Sequence, residues 1–70
     1  MAERLVIRLK EMRTAAGLTQ ADLAARIGVS RKTVNTVENG VFVPSTVLAL
    51  QLAKALGCQV ESLFALPDDG

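Results

Sequence analysis

Residues 18 to 40, LTQADLAARIGVSRKTVNTVENG, constrain the fold of this chain more than any other stretch. Take Gln20 as the first of twenty positions. Ala24 is then fifth, where a bulky side chain would wedge two packed helices apart. Gly28 is ninth, at a turn where φ is often positive and a residue without Cβ is favoured. Val34 and Val37 are fifteenth and eighteenth, and a spacing of three keeps one face of the second helix inward. Leu23, Ile27 and Val29 supply the other half of that contact. The pattern predicts a helix-turn-helix over 20–39, whose second helix has the shape that enters a DNA major groove.

Capping residues agree with these boundaries. Thr19 is placed to cap the first of the two helices, with Asp22 three residues on to complete a short capping box. Ser30 is placed to cap the second, and Gly40 follows Asn39 as a stop signal.

Around this unit the periodicity predicts three more helices and no strands, an all-α chain. The first runs from about Leu5, or slightly earlier, to Ala16, with Leu5, Leu9, Met12 and Ala16 as an inward stripe. The second covers Thr19 to Ile27 and the third Ser30 to Asn39, followed by a loop from Gly40 to Pro44. Pro44 and Ser45 open a fourth helix that ends near Leu56, with Ala49, Leu52, Ala53 and Leu56 facing in and Leu48 helping. A short fifth helix, Val60 to Phe64, closes the base with Leu63 and Phe64 as plugs, and residues 67–70 read as frayed. Seventy residues make one small domain, 1–70, of marginal stability.

Composition narrows the chemistry. No His, one Cys (Cys58) and no clustered carboxylates leave nothing from which to build a metal site, a disulfide or an active site, so neither a cofactor nor an enzyme is expected. With no Trp or Tyr, single-strand binding by base stacking is disfavoured. No apolar run approaches a membrane span and the start MAERLV lacks a signal-peptide core, so a cytoplasmic protein without membrane contact is expected. The net charge is only +1, but it is unevenly spread. Residues 1–57 hold eight Lys/Arg against Glu3, Glu11, Asp22 and Glu38, a balance of +4, while the remainder holds Glu61, Asp68 and Asp69 and no base. A basic body with an acidic end suits DNA on one side.

The segments LTQADLA, GVSRKTV, VENG, Pro44, LALQLAKALG and ESLF, in this order and spacing, resemble the Cro/C1-type helix-turn-helix family, also called the Xre family or lambda-repressor-like domains. The resemblance covers about residues 7 to 66. It implies a compact five-helix domain that binds palindromic operator DNA as a homodimer and regulates transcription, most often as a repressor.

Four groups of residues then acquire expected roles. On the third helix, Arg31, Lys32, Asn35 and Thr36 face the groove, because Val34 and Val37 fix which side is buried. Arg31 and Lys32 lie in its first turn, where cations oppose the helix dipole unless phosphates or guanine edges relieve them. The resemblance implies that Gln20 bonds a phosphate and braces the recognition helix and that Asn39 contacts phosphate; Ser30 is expected first as a cap and second as a phosphate ligand. It further implies that Arg13 and Glu38 pair beneath the recognition helix, with Arg13 near the DNA backbone. The fourth group is a departure. Val41, Phe42 and Val43 stand where many relatives have Lys or Arg, and Gln59 stands where they tend to have a capping Ser or Thr.

One recognition helix reads few base pairs, so specificity calls for two copies on half-sites about one helical turn apart. Val41, Phe42, Val43, Val47 and Leu50 are the spare apolar residues for that contact, with Val6 or Ile7 as further candidates. No small-molecule pocket is expected in so small a core. Two rivals stay open: an antitoxin or the N-terminal DNA-binding module of a larger regulator, and a protein-interaction module that has lost its DNA face.

Overall fold

Leu5, Val6 and Ile7 do not join the first helix. In the computed structural model, which describes residues 5–67, Val6–Ile7 form a short strand, β1, and the helix α1 spans Leu9–Ala15. Strand β1 pairs antiparallel with β2 (Phe64–Ala65), Val6 opposite Ala65 and Ile7 opposite Phe64. Arg8 N–H extends the ribbon by donating to Leu63 O at 2.8 Å. Two causes account for the late helix start. Val6 and Ile7 are β-branched and favour extended backbone, and their backbone groups are taken by the ribbon with β2. Any helix earlier than Leu5, and the end of the tail at 68–70, lie outside the described residues.

The remaining helices follow the sequence closely: α2 is Gln20–Ile27, α3 Arg31–Glu38, α4 Thr46–Leu56 and α5 Val60–Leu63. Thr19 forms the expected capping box, its hydroxyl accepting from Asp22 N–H and its own N–H donating to the Asp22 carboxylate, both at 3.0 Å. The bond its carboxylate receives from Thr19 N–H, helped by the nearby Thr19 hydroxyl, holds the Asp22 carboxyl below its ordinary pKa. Ser30 and Ser45 cap α3 and α4, accepting from Thr33 and Leu48 N–H at 3.1 Å. Pro44 thus precedes α4 rather than entering it. Gln59 begins α5 without a side-chain cap, as its departure from Ser or Thr predicts. Phe64, expected in that helix, leaves it in extended backbone for β2.

Gly28 carries the turn between α2 and α3 at φ 74°, and Val29 N–H then donates to Ala24 O at 3.0 Å. A Cβ on Gly28 would meet nothing within 4 Å, so glycine is needed there for its backbone alone.

The five helices enclose a core of Leu9, Leu23, Ala24, Val34, Val37, Leu52, Ala53, Leu63 and Phe64. Leu5, Ile7, Met12, Leu48, Ala49, Leu56 and Cys58 pack against it partly buried. Ala16 departs from the expected stripe. It caps α1 and is exposed, because the helix ends one residue before it and the chain turns at Gly17. Ile7 takes part in its place, at the ribbon.

Candidate nucleic-acid interface

Helices α2 and α3 meet through Leu23 and Ala24 on one side and Val34 and Val37 on the other, all buried. That contact sets the rotation of α3. With Val34 1% and Val37 0% exposed, Arg31 and Lys32 are turned outward at the first turn, Asn35 and Thr36 are half-buried one turn on, and Asn39 is exposed at the end. No acidic residue lies in the first turn of α3, and the one salt bridge among the described residues involves neither Arg31 nor Lys32. Two uncompensated cations therefore sit on the positive end of a helix dipole, a surface that attracts anions.

Beneath α3 runs a connected set of polar bonds. Arg13 Nε lies 2.6 Å from Glu38 Oε2, and Arg13 Nη2 donates to Glu38 Oε1 at 3.3 Å. Arg13 Nη1 donates to Leu18 O at 2.8 Å, which ties the pair to the turn between α1 and α2. The Arg13 side chain is 9% exposed and that of Glu38 2%. Glu38 Oε1 also accepts from Gln20 Nε2 at 2.9 Å. Gln20 Oε1 accepts from Asn35 Nδ2 at 3.4 Å, and Asn35 Oδ1 accepts from Asn39 Nδ2 at 3.1 Å. One side chain from α1, one from α2 and three from the α3 region are linked, and no buried side-chain polar atom among the described residues lacks a partner.

This geometry places the sequence-selected residues unevenly. Arg31 and Lys32 are free to reach a ligand. Gln20, Asn35 and Asn39 line up from α2 along α3. Thr36 donates its hydroxyl to Thr33 O at 2.9 Å, so it offers outward only a methyl and lone pairs. Ser30 Oγ is engaged with Thr33 Oγ1 at 3.0 Å besides its cap bond. The guanidinium of Arg13 is turned to Glu38 and Leu18, so the structure gives it a bracing geometry rather than an outward one. Gln20 braces α3 as the resemblance implies, but its particular partners, Glu38 and Asn35, carried no signal in the sequence. Asn35–Asn39 carried a usable signal, since amides four apart on a helix are neighbours.

Val41, Phe42, Val43, Val47 and Leu50 are all exposed, Val43 by 74%, and none belongs to the core. Leu66, just past β2, is exposed as well and carried no signal in the sequence. A shallow groove of about 230 Å³ lies among Leu5, Val43, Ala49, Leu50, Val60 and Phe64. Val6 and Ile7 are half-buried in the ribbon. Among the described residues there is no group of three His, Cys, Asp or Glu able to hold a metal. No helix among the described residues is long and apolar enough to cross a membrane.

A tight two-helix unit with a capped, cation-bearing second helix, braced from below and flanked by three further helices, defines a helix-turn-helix protein. A family model described as helix-turn-helix matches residues 9–63. Curated relatives include an uncharacterized HTH-type transcriptional regulator of Methanothermobacter thermautotrophicus, 44% identical over 63 residues, spanning 89% of this chain and 91% of the relative. The Bacillus subtilis regulator YgzD, likewise named HTH-type, is 39% identical over 62 residues, 89% of this chain and 94% of its own length. Among solved structures, the restriction-modification controller protein C.AhdI of Aeromonas hydrophila superposes with a TM-score of 0.77 at 46% identity, covering 81% of this chain and 86% of that one. The clp gene regulator ClgR of C. glutamicum does so with a TM-score of 0.72 at 30% identity, covering 77% and 70%. The chain belongs to the Cro/C1-type helix-turn-helix family of transcriptional regulators.

Proposed function

We propose that the protein is a non-catalytic regulator that binds operator DNA as a homodimer, each α3 lying in a major groove, and represses by occupying the site. The observation that carries this reading is the first turn of α3. Arg31 and Lys32 stand outward there, on a helix N-terminus, with no acid among the described residues to neutralise them. Phosphates and guanine edges are the partners that relieve such a surface. Arg31, Lys32, Asn35 and Thr36 then face base edges, while Gln20, Asn39 and the N-terminal amides of α2 face the sugar–phosphate backbone. Ser30 serves chiefly as the cap. Arg13 serves as a brace, since three of its bonds are already made. The likeness to a controller protein and to a gene regulator supports a role in transcription control.

The second copy is assigned to the apolar surface of Val41, Phe42, Val43, Val47 and Leu50. The apolar run begins at Val41, two residues after Asn39, so a symmetric contact there holds two third helices side by side. The same exposed loop also suits a protein-interaction module without a DNA face. A salt titration separates the two. Affinity for random duplex DNA is expected to fall by about tenfold or more between about 50 and 200 mM salt, as for at least two neutralised phosphates. Sedimentation at micromolar concentration is expected to give a dimer in the presence of duplex. Salt-independent or absent binding would overturn the DNA reading, and a strict monomer with and without DNA would overturn the assembly.

A further inference from the structure

Glu38 meets donors only: Arg13 Nε at 2.6 Å, Arg13 Nη2 at 3.3 Å and Gln20 Nε2 at 2.9 Å. A carboxylate so surrounded accepts hydrogen bonds and gives none. The Gln20 amide therefore has one orientation that bonds Glu38, with Nε2 inward, and its Oε1 is left facing α3. Asn35 answers with Nδ2 at 3.4 Å. Asn35 Oδ1 then points along the helix to accept from Asn39 Nδ2 at 3.1 Å. Three side-chain amides, each nearly symmetrical in shape, are aligned donor to acceptor from one charged end.

We infer that Glu38 and Gln20 are positioning residues that fix which end of the Asn35 amide donates, and that α3 thereby distinguishes an A·T pair from a T·A pair. The inference rests on the DNA reading above. Each polar atom of Asn35 retains one unused direction, an N–H on Nδ2 and a lone pair on Oδ1. Adenine offers the complement in the major groove, an acceptor at N7 beside a donor at N6. The order matters. With the amide reversed about its last bond, donor would face donor and acceptor would face acceptor.

A free asparagine pays little for that reversal. Here it would set Asn35 Oδ1 against Gln20 Oε1, and Gln20 cannot turn to follow because Glu38 accepts only from Nε2. Asn39, exposed at the far end, is able to turn and so is the weaker constraint. The polarity of the reading side chain is thus set from a carboxylate that is itself 2% exposed. Gln20 acts here through Asn35, whatever phosphate contact it also makes.

The test is enrichment of binding sites from randomised duplex DNA by the full chain, by Gln20→Met and Gln20→Ala, by Asn35→Ala, and by Asn35→Ala combined with Gln20→Met. Both Gln20 variants leave the Arg13–Glu38 pair and the helix caps in place, and their melting curves check the fold. The wild-type motif is expected to contain one adenine position per half-site that Asn35→Ala erases. The Gln20 variants are expected to lower the preference for A·T over T·A at that position from about tenfold to near parity, leaving the relative preferences elsewhere unchanged. In the Asn35→Ala background, Gln20→Met is expected to leave every relative preference as it is. A purely structural or phosphate-holding Gln20 would instead lower affinity for all sequences by one factor, and that result overturns the inference. So does a wild-type motif with no position that depends on Asn35. Absence of any enriched motif overturns the DNA reading itself, which distinguishes the two failures.

Discussion

Glu38→Ala is expected to destabilise the folded chain by about 3–5 kcal/mol, read as a shift in urea-unfolding midpoint. The size follows from burial. Removing a carboxylate that is 2% exposed leaves the Arg13 guanidinium, itself 9% exposed, with Leu18 O as its remaining acceptor. Gln20 Nε2 loses its partner in the same stroke. A 70-residue domain has about 4–10 kcal/mol of stability in all, so this one change takes the chain close to unfolding. Most of the loss is the cost of an orphaned charge rather than the net worth of the pair. Arg13→Met combined with Glu38→Leu is therefore expected to recover part of it. In DNA binding the signs conflict usefully. Deleting an acid makes the protein more cationic, yet affinity is expected to fall, because α3 loses its brace. A stability change below about 1 kcal/mol, with binding unchanged, would mean that the pair behaves as an idle surface contact.

Arg31→Ala is expected to cost about 1–3 kcal/mol on the best operator and to relax preference at one or two positions of each half-site. Arg31 is exposed, in the first turn of the helix whose rotation Val34 and Val37 fix, and its guanidinium fork matches the O6 and N7 of guanine. Asn39→Ala is expected to weaken all sequences about equally. Arg8→Ala is the control. Arg8 lies outside the helix-turn-helix, and its structural bond to Leu63 is made by the backbone and survives the substitution. Binding to the operator and its single-base variants, at two salt concentrations, separates these roles. One common factor of loss for Arg31→Ala across all variants would make Arg31 a phosphate contact.

The sequence carried most of this architecture because its signals are local. Thr19, Ser30 and Ser45 bond the N–H groups that the capping rules assign to them, and Gly28 and Gly57 stop their helices at positive φ. The ribbon was not legible for the opposite reason. Val6 and Ile7 pair with residues 64 and 65, almost the whole length of the chain away, and a run of three apolar residues reads equally as helix or strand. Ala16 was misjudged on the same helix, since a periodic stripe does not say where its last turn ends. At the site, Val34 and Val37 were enough to decide which side chains of α3 face outward. The Arg13–Glu38 pair came from resemblance, not from periodicity. The bonds of Gln20 to Glu38 and Asn35 depend on how α2 sits across α3, which no spacing rule supplies. Leu66 was overlooked because a single apolar residue after a short helix carries no period of its own.

The central claim is that two copies of α3 read DNA from one dimer. Enrichment of bound sequences from a randomised duplex library, with the wild-type chain alone, tests it most directly. The predicted result is an inverted repeat whose half-site centres lie about 10 base pairs apart, one turn of the duplex, matching two recognition helices on one face. A motif with no internal symmetry, or no enrichment over the starting library, would contradict the account.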